Sequence, residues 1–147
     1  MAKSVLLDGD ENLIHIPLYY KVKKKGNIRQ YKILTEEEGK SLLAASDADV
    51  EVLNTKWKPQ TWQLNTFLIK NSTSYDQVSA SKEFDFQKYR ENVFAHCLVE
   101  WDMVDDKGQI IPVSPKVVGQ LPHTIAHALV KKYDELLAID EEEQKKT

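Results

Sequence analysis

The run Ile14, Ile16, Leu18, Tyr20 and Val22 alternates with His15, Pro17, Tyr19 and Lys21, the period-two signature of a strand with one buried face. Lys23-Lys24-Lys25-Gly26-Asn27 follows, and its Gly-Asn pair can take the positive φ angles of a tight turn. A second apolar and aromatic stretch, Ile28-Arg29-Gln30-Tyr31-Lys32-Ile33-Leu34, completes the signature of a β-hairpin. Pro17 has no amide donor, which places the first strand at a sheet edge.

After the hairpin the period changes. Thr35-Glu36-Glu37-Glu38 fits a capping box, and the acidic first turn complements the positive end of the helix that it opens. Leu42, Leu43 and Ala45 give that helix a modest apolar face before Ser46-Asp47 breaks it. Residues 49–57 are ambiguous. Pro59 suits the first turn of another helix, with Trp62, Phe67, Leu68 and Ile69 as its apolar material and Asn71 as its end. The small polar residues of 71–82 read as a Ser-rich internal loop.

From Asp85 onward, Phe86, Tyr89, Val93, Cys97 and Trp101 recur at three- and four-residue intervals, the stripe of a long helix that carries Trp101 at its end. Asp105-Asp106-Lys107-Gly108 is a turn sequence, Gln109–Val113 is extended, and Ser114-Pro115 pairs an N-cap with a first-turn proline. That short helix ends at Gly119. Pro122 opens the last helix, whose inward stripe is Ile125, Leu129, Tyr133, Leu136 and Leu137. The expected fold class is therefore α+β, an N-terminal β-hairpin followed by a mostly helical domain. At 147 residues the chain suits one globular domain, 1–139, followed by a charged disordered tail, 140–147.

A net charge of −3 provides no general attraction for nucleic acid or anionic lipid. One cysteine rules out an internal disulfide and fits a reducing compartment. The start has no long apolar signal segment, and no apolar run approaches the roughly 20 residues of a membrane span. A soluble intracellular protein is expected.

Several residues carry chemistry in other settings. His123 and His127 form an H-x-x-x-H pair that can share a helix face, but Thr124 stands where a zinc protease motif needs Glu and no third ligand follows from spacing. Cys97 lies beside His96, yet adjacent helical residues point about 100° apart and Cys97 falls on the apolar stripe. Glu100, Asp102, Asp105 and Asp106, with Gly108, do not match the calcium-loop spacing and suit a turn. Lys21, Lys23, Lys24, Lys25 and Arg29, near Tyr19, Tyr20 and Tyr31, could form an RNA platform, although lysines also keep hairpin tips soluble. Burial is the expectation for each of Trp57, Trp62 and Trp101, with an exposed binding anchor among them as the alternative that sequence leaves open. No phosphate loop, nucleophile elbow or CxxC pair is present. No catalytic, cofactor-binding or metal-binding residue is assigned, and a non-enzymatic, protein-binding role is expected.

The stretch Val99-Glu100-Trp101-Asp102-Met103-Val104-Asp105-Asp106-Lys107-Gly108-Gln109-Ile110-Ile111-Pro112-Val113-Ser114-Pro115, continuing to Leu121-Pro122 and a terminal amphipathic helix, resembles tail assembly chaperones of long-tailed bacteriophages. The resemblance covers about the last third of the chain. It implies an assembly factor in the host cytoplasm that associates with the tape-measure protein, brings tail-tube subunits to it and is left out of the finished tail. It also implies a second, longer product by ribosomal frameshifting, for which Lys145-Lys146 is the candidate slip site. The alternatives are a structural virion protein, such as a connector or tail component, and an RNA-binding regulator using the basic hairpin. Oligomeric state is left open.

Overall fold

The strand alternation at the N-terminus becomes a hairpin of β1 (Ile14–Lys25) and β2 (Ile28–Leu34), in a computed structural model that describes residues 12–138. The expected tail 140–147, with its candidate slip site Lys145-Lys146, lies outside the described residues. The hairpin turn is only Gly26-Asn27, since Lys25 pairs directly with Ile28, and Gly26 takes φ +67° while Asn27 does not turn positive. Positive φ at the first central residue alone is the type II′ pattern, whose twist matches the flanking strands. Both strands therefore run further toward the tip than the Lys23–Asn27 turn of the sequence reading.

The other elements are α1 (Glu36–Ala44), β3 (Val50–Trp57), α2 (Trp62–Asn71), β4 (Thr73–Asp76), β5 (Ser81–Phe84), α3 (Phe86–Cys97), β6 (Leu98–Trp101), α4 (Pro115–Gly119) and α5 (His123–Leu137). The chain is α+β. β1, β2, β3 and β6 form one antiparallel sheet in the order β2-β1-β3-β6. The stretch 49–57, ambiguous in sequence, is the strand that joins the hairpin to β6.

β1 is thus an interior strand, which corrects the edge position inferred from Pro17. Pro17 lies opposite Asn54 of β3, outside the portion of β1 that pairs with β2, which begins at Tyr19. The missing amide is tolerated because one side of the strand is still open there.

The sheet is covered on both faces. Ile16, Leu18, Leu53 and Trp57 face the main core, where they meet Leu68 of α2, Val93 and Cys97 of α3, and Ile125, Leu129 and Tyr133 of α5. Tyr19, Leu34 and Val50 face the other way and pack with Leu42 of α1. α1 carries the expected capping box: the Glu38 amide donates to Thr35 Oγ1 at 3.2 Å, and the Glu38 carboxylate accepts from the Thr35 amide. Gly39 is where α1 presses on the sheet, because a Cβ there would overlap the Tyr19 ring.

Four further expectations are corrected. Pro59 precedes α2 rather than opening it: Thr61 is the N-cap, its Oγ1 accepting from the Leu64 amide at 3.1 Å. The Ser-rich stretch 71–82 is largely a second, small hairpin, with Thr73–Asp76 paired to Ser81–Phe84 around a turn containing Ala80 at φ +55°. Leu136 is 60% exposed, so the residues that α5 buries are Ile125, Ala128, Leu129, Val130 and Tyr133, with Leu137 half-buried. Phe86, placed on the inward stripe of α3, is 69% exposed and meets Phe84 edge-on.

The largest correction concerns Trp101. It is buried as expected, but α3 stops at Cys97 and Trp101 lies on β6, which begins at the next residue. Spacing of four residues continues one face of a helix, so the stripe carried no mark of where α3 gives way to β6. Leu98 and Trp101 both point inward, three residues apart, because the register shifts: Trp101 pairs with Thr55 and Leu98 with Trp57, leaving Val99 as the extra residue of a bulge.

Candidate functional site

The segment after β6 is held by short-range chemistry that the sequence displays. Asp105 Oδ1 accepts from the amides of Lys107 and Gln109, at 2.8 and 3.0 Å, and Gly108 takes φ +77°. This turn lets Val104 bridge to Ile110, and the Ile111 amide donates to the Met103 carbonyl at 2.8 Å. Trp101 then anchors the returning chain, its indole N–H donating to the Ile111 carbonyl at 2.6 Å. Ser114 caps α4 through Val117, and Pro122 leads into α5.

The outcome is a cleft of about 810 Å³ between α3, the 113–121 segment and the start of α5. Its apolar lining comes from Phe94 and Ala95 of α3, Leu98 of β6, Val118 of α4, Leu121 and Ala126. Arg90, Glu91, His123 and His127 supply polar groups. A concave apolar surface edged by a few polar groups is the usual form of a binding site.

His123 and His127 do share a helix face, with rings stacked at 5.9 Å and an interplanar angle of 23°. What comes to meet them is a cation: Arg90 Nη1 lies 3.5 Å from His127 Nδ1. Among the described residues no group of three or more His, Cys, Asp and Glu side chains is placed to hold a metal ion. The two histidines instead belong to the polar edge of the cleft.

Cys97 and His96 diverge as helical geometry requires. Cys97 is buried in the main core, where burial pushes its thiol above the ordinary range, while His96 meets Phe67 edge-on at 4.8 Å. A thiolate is what a cysteine nucleophile needs, and burial opposes it. Of the acidic residues, Glu100, Asp102 and Asp105 are tied into local structure. Asp102 accepts from the amide and the side-chain amide of Asn54, at 2.8 and 2.7 Å, and Glu100 pairs with Lys56 at 3.7 Å.

The tyrosines of the basic hairpin do not form an open stacking platform. Tyr19 is buried under α1, and Tyr20 and Tyr31 meet edge-on at 6.0 Å. The Tyr20 hydroxyl donates to Glu51 at 2.7 Å, and burial, followed by Glu51, pushes its pKa well above the ordinary range. Of the tryptophans, Trp57 is fully buried, stacked on Tyr133 at 4.9 Å, with its N–H on Thr55 Oγ1 at 2.7 Å. Trp62 departs from the expected burial and takes the exposed alternative, being 88% exposed in the first turn of α2.

The cleft itself was not read from the sequence, since its walls come from two separated stretches, 87–99 and 113–127. Its one local signal was Ser114-Pro115 after the extended 109–113 segment, which foretold a short helix without saying what it would face. None of the helices among the described residues is long and apolar enough to cross a membrane. In comparisons with known proteins the chain matches no family model, no curated protein and no solved structure.

Proposed function

We propose that this chain is a non-catalytic assembly factor of the tail-assembly-chaperone kind, acting in the host cytoplasm. On this reading it binds the tape-measure protein and tail-tube subunits while a phage tail is built. The observation that carries the reading is the position of the stretch that resembles such chaperones. Within residues 99–122, Val99 and the 113–121 segment line the cleft between α3 and α5, and the buried Trp101 holds the returning chain through the Ile111 carbonyl, two residues before that segment.

The chemistry of the cleft suits a protein segment. Phe94, Ala95, Leu98 and Val118 offer apolar contact, and Arg90, Glu91 and the two histidines offer orientation at its edge. An amphipathic helix laid into such a groove buries its apolar face and leaves its polar face to the rim.

Co-expression with the tape-measure and tail-tube proteins of the same phage tests the reading, with capture measured for the natural chain and for Ala95→Arg. Ala95 is exposed and lines the cleft, so a long cationic side chain there obstructs the groove without entering the core. Capture of the tape-measure protein by the natural chain, and its loss in the variant, is the expected result. Failure to capture either protein would refute the proposal, and recovery of the chain from purified virions would make it a structural component instead.

A further inference from the structure

The outer half of the hairpin stands beyond the rest of the sheet. β3 accompanies β1 only as far as Lys21, which pairs with Val50, with one more hydrogen bond from the Val22 amide to the Asp49 carbonyl. From Lys23 outward, β1 has β2 as its sole strand neighbour, and β2 is an outer strand along its whole length. Residues 23–30 are all exposed. Unpaired N–H and C=O groups of an outer strand are a template for another strand.

Charge on this arm is one-signed. Residues 14–34 hold six lysines and arginines and no acidic residue, in a chain whose net charge is −3. Lys21 is neutralised by Asp47 at 3.0 Å. Among the described residues, no ion pair reaches Lys23, Lys24, Lys25, Arg29 or Lys32.

Moreover, Lys24 sits directly opposite Arg29. Like charges in directly opposed positions destabilise a strand pair. Solubility would be served by the same charges placed apart, whereas a partner's carboxylates would relieve the repulsion. Arg29 and Lys32 are three residues apart on β2 and so point to opposite faces, one beside Lys24. Ile28, 66% exposed, adds an apolar contact at the tip.

We infer that the outer half of the β1–β2 hairpin is a docking arm for an extended acidic segment of a partner protein, which adds as a strand along β2. Side chains of an added strand alternate between faces, so carboxylates three residues apart reach Arg29 on one face and Lys32 on the other. The geometry favours a peptide over a single-stranded nucleic acid, because the nearby aromatic rings are buried or packed edge-on while the backbone edge lies open. The arm would bind such a segment whether or not the chain serves in tail assembly.

The test uses the full chain and three probes: a fluorescein-labelled peptide in which pairs of Glu alternate with Val and Thr, its counterpart N-methylated at alternate residues, and a single-stranded oligonucleotide of equal charge. N-methylation keeps every carboxylate but removes the ladder donors. The first peptide should bind with amide shift changes concentrated in residues 28–34, and the N-methylated one about tenfold more weakly. Arg29→Gln with Lys32→Gln should weaken binding about tenfold while the circular dichroism spectrum is kept, and Lys24→Gln provides a milder variant should the pair disturb folding. Absence of binding, equal binding of the N-methylated peptide, or shift changes centred on the α3–α5 cleft would overturn the inference. So would tighter binding of the oligonucleotide, which would reassign the arm to nucleic acid.

Discussion

Replacing Gly39 by Ala should destabilise the protein, against the usual direction for a helix interior. In an ordinary helix the change gains about 1 kcal/mol, because glycine has more backbone freedom to lose. Here an added Cβ would fall inside van der Waals contact with Cβ, Cγ and Cδ1 of Tyr19. Tyr19 cannot easily yield, since it is 8% exposed and is packed with Leu34 and Val50 beneath α1. Overpacking costs about 1–3 kcal/mol, and an overlap with three atoms belongs near the upper end, about 3. The net loss is about 2 kcal/mol, which for a chain of this size lowers Tm by about 4–8 °C. Urea unfolding followed by tryptophan fluorescence, with the buried Trp57 and Trp101 as reporters, measures it. Ser41→Ala is the control: it is exposed on the same helix and should stabilise by about 0.5 kcal/mol. A Gly39→Ala variant as stable as the natural chain would refute the packing of α1 on Tyr19.

Trp101→Ala should cost about 3–5 kcal/mol by the same measurement. Trp101→Phe should cost about 1–2, because the Ile111 carbonyl loses its indole donor. Cys97 should resist a thiol reagent in the native state at mildly alkaline pH and react on unfolding; rapid native labelling would show the thiol to be accessible. Asp47 is held below the ordinary carboxylate range by the Asp49 amide and then by the Lys21 ammonium, at 3.0 Å each. Its folded pKa lies below its unfolded one, so its contribution is complete above the unfolded value and is lost as pH falls through the folded one. Asp47→Asn should therefore flatten the acid limb of stability against pH, and an unchanged limb would exclude the pair as a source of it. Chelation should leave Tm unchanged, given the Arg90 guanidinium beside His127.

Local chemistry was legible wherever it is written in neighbouring residues. The Gly26-Asn27 turn, the Thr35 box, the Asp105–Gly108 turn, the Ser114-Pro115 start and the amphipathic α5 all depend on atoms a few residues apart. Of the candidate site, sequence reasoning correctly set His123 and His127 on one helix face and Cys97 in the core, because periodicity alone decides both.

Tertiary structure decided what periodicity leaves degenerate. β3 was ambiguous because both of its faces are covered: Val50 turns to α1 while Leu53 and Trp57 turn to the main core, which removes the alternation that marks a half-buried strand. Trp101 kept its burial but changed element, since its four-residue interval from Cys97 continues a helical stripe and only pairing with Thr55 places it on a strand. The 73–84 hairpin has few apolar residues to announce it, and its ladder is seen only when both strands meet. The cleft is the furthest from the sequence of all. Its walls come from α3, β6, α4 and the start of α5, and a concavity is a relation among surfaces that no single stretch of chain contains.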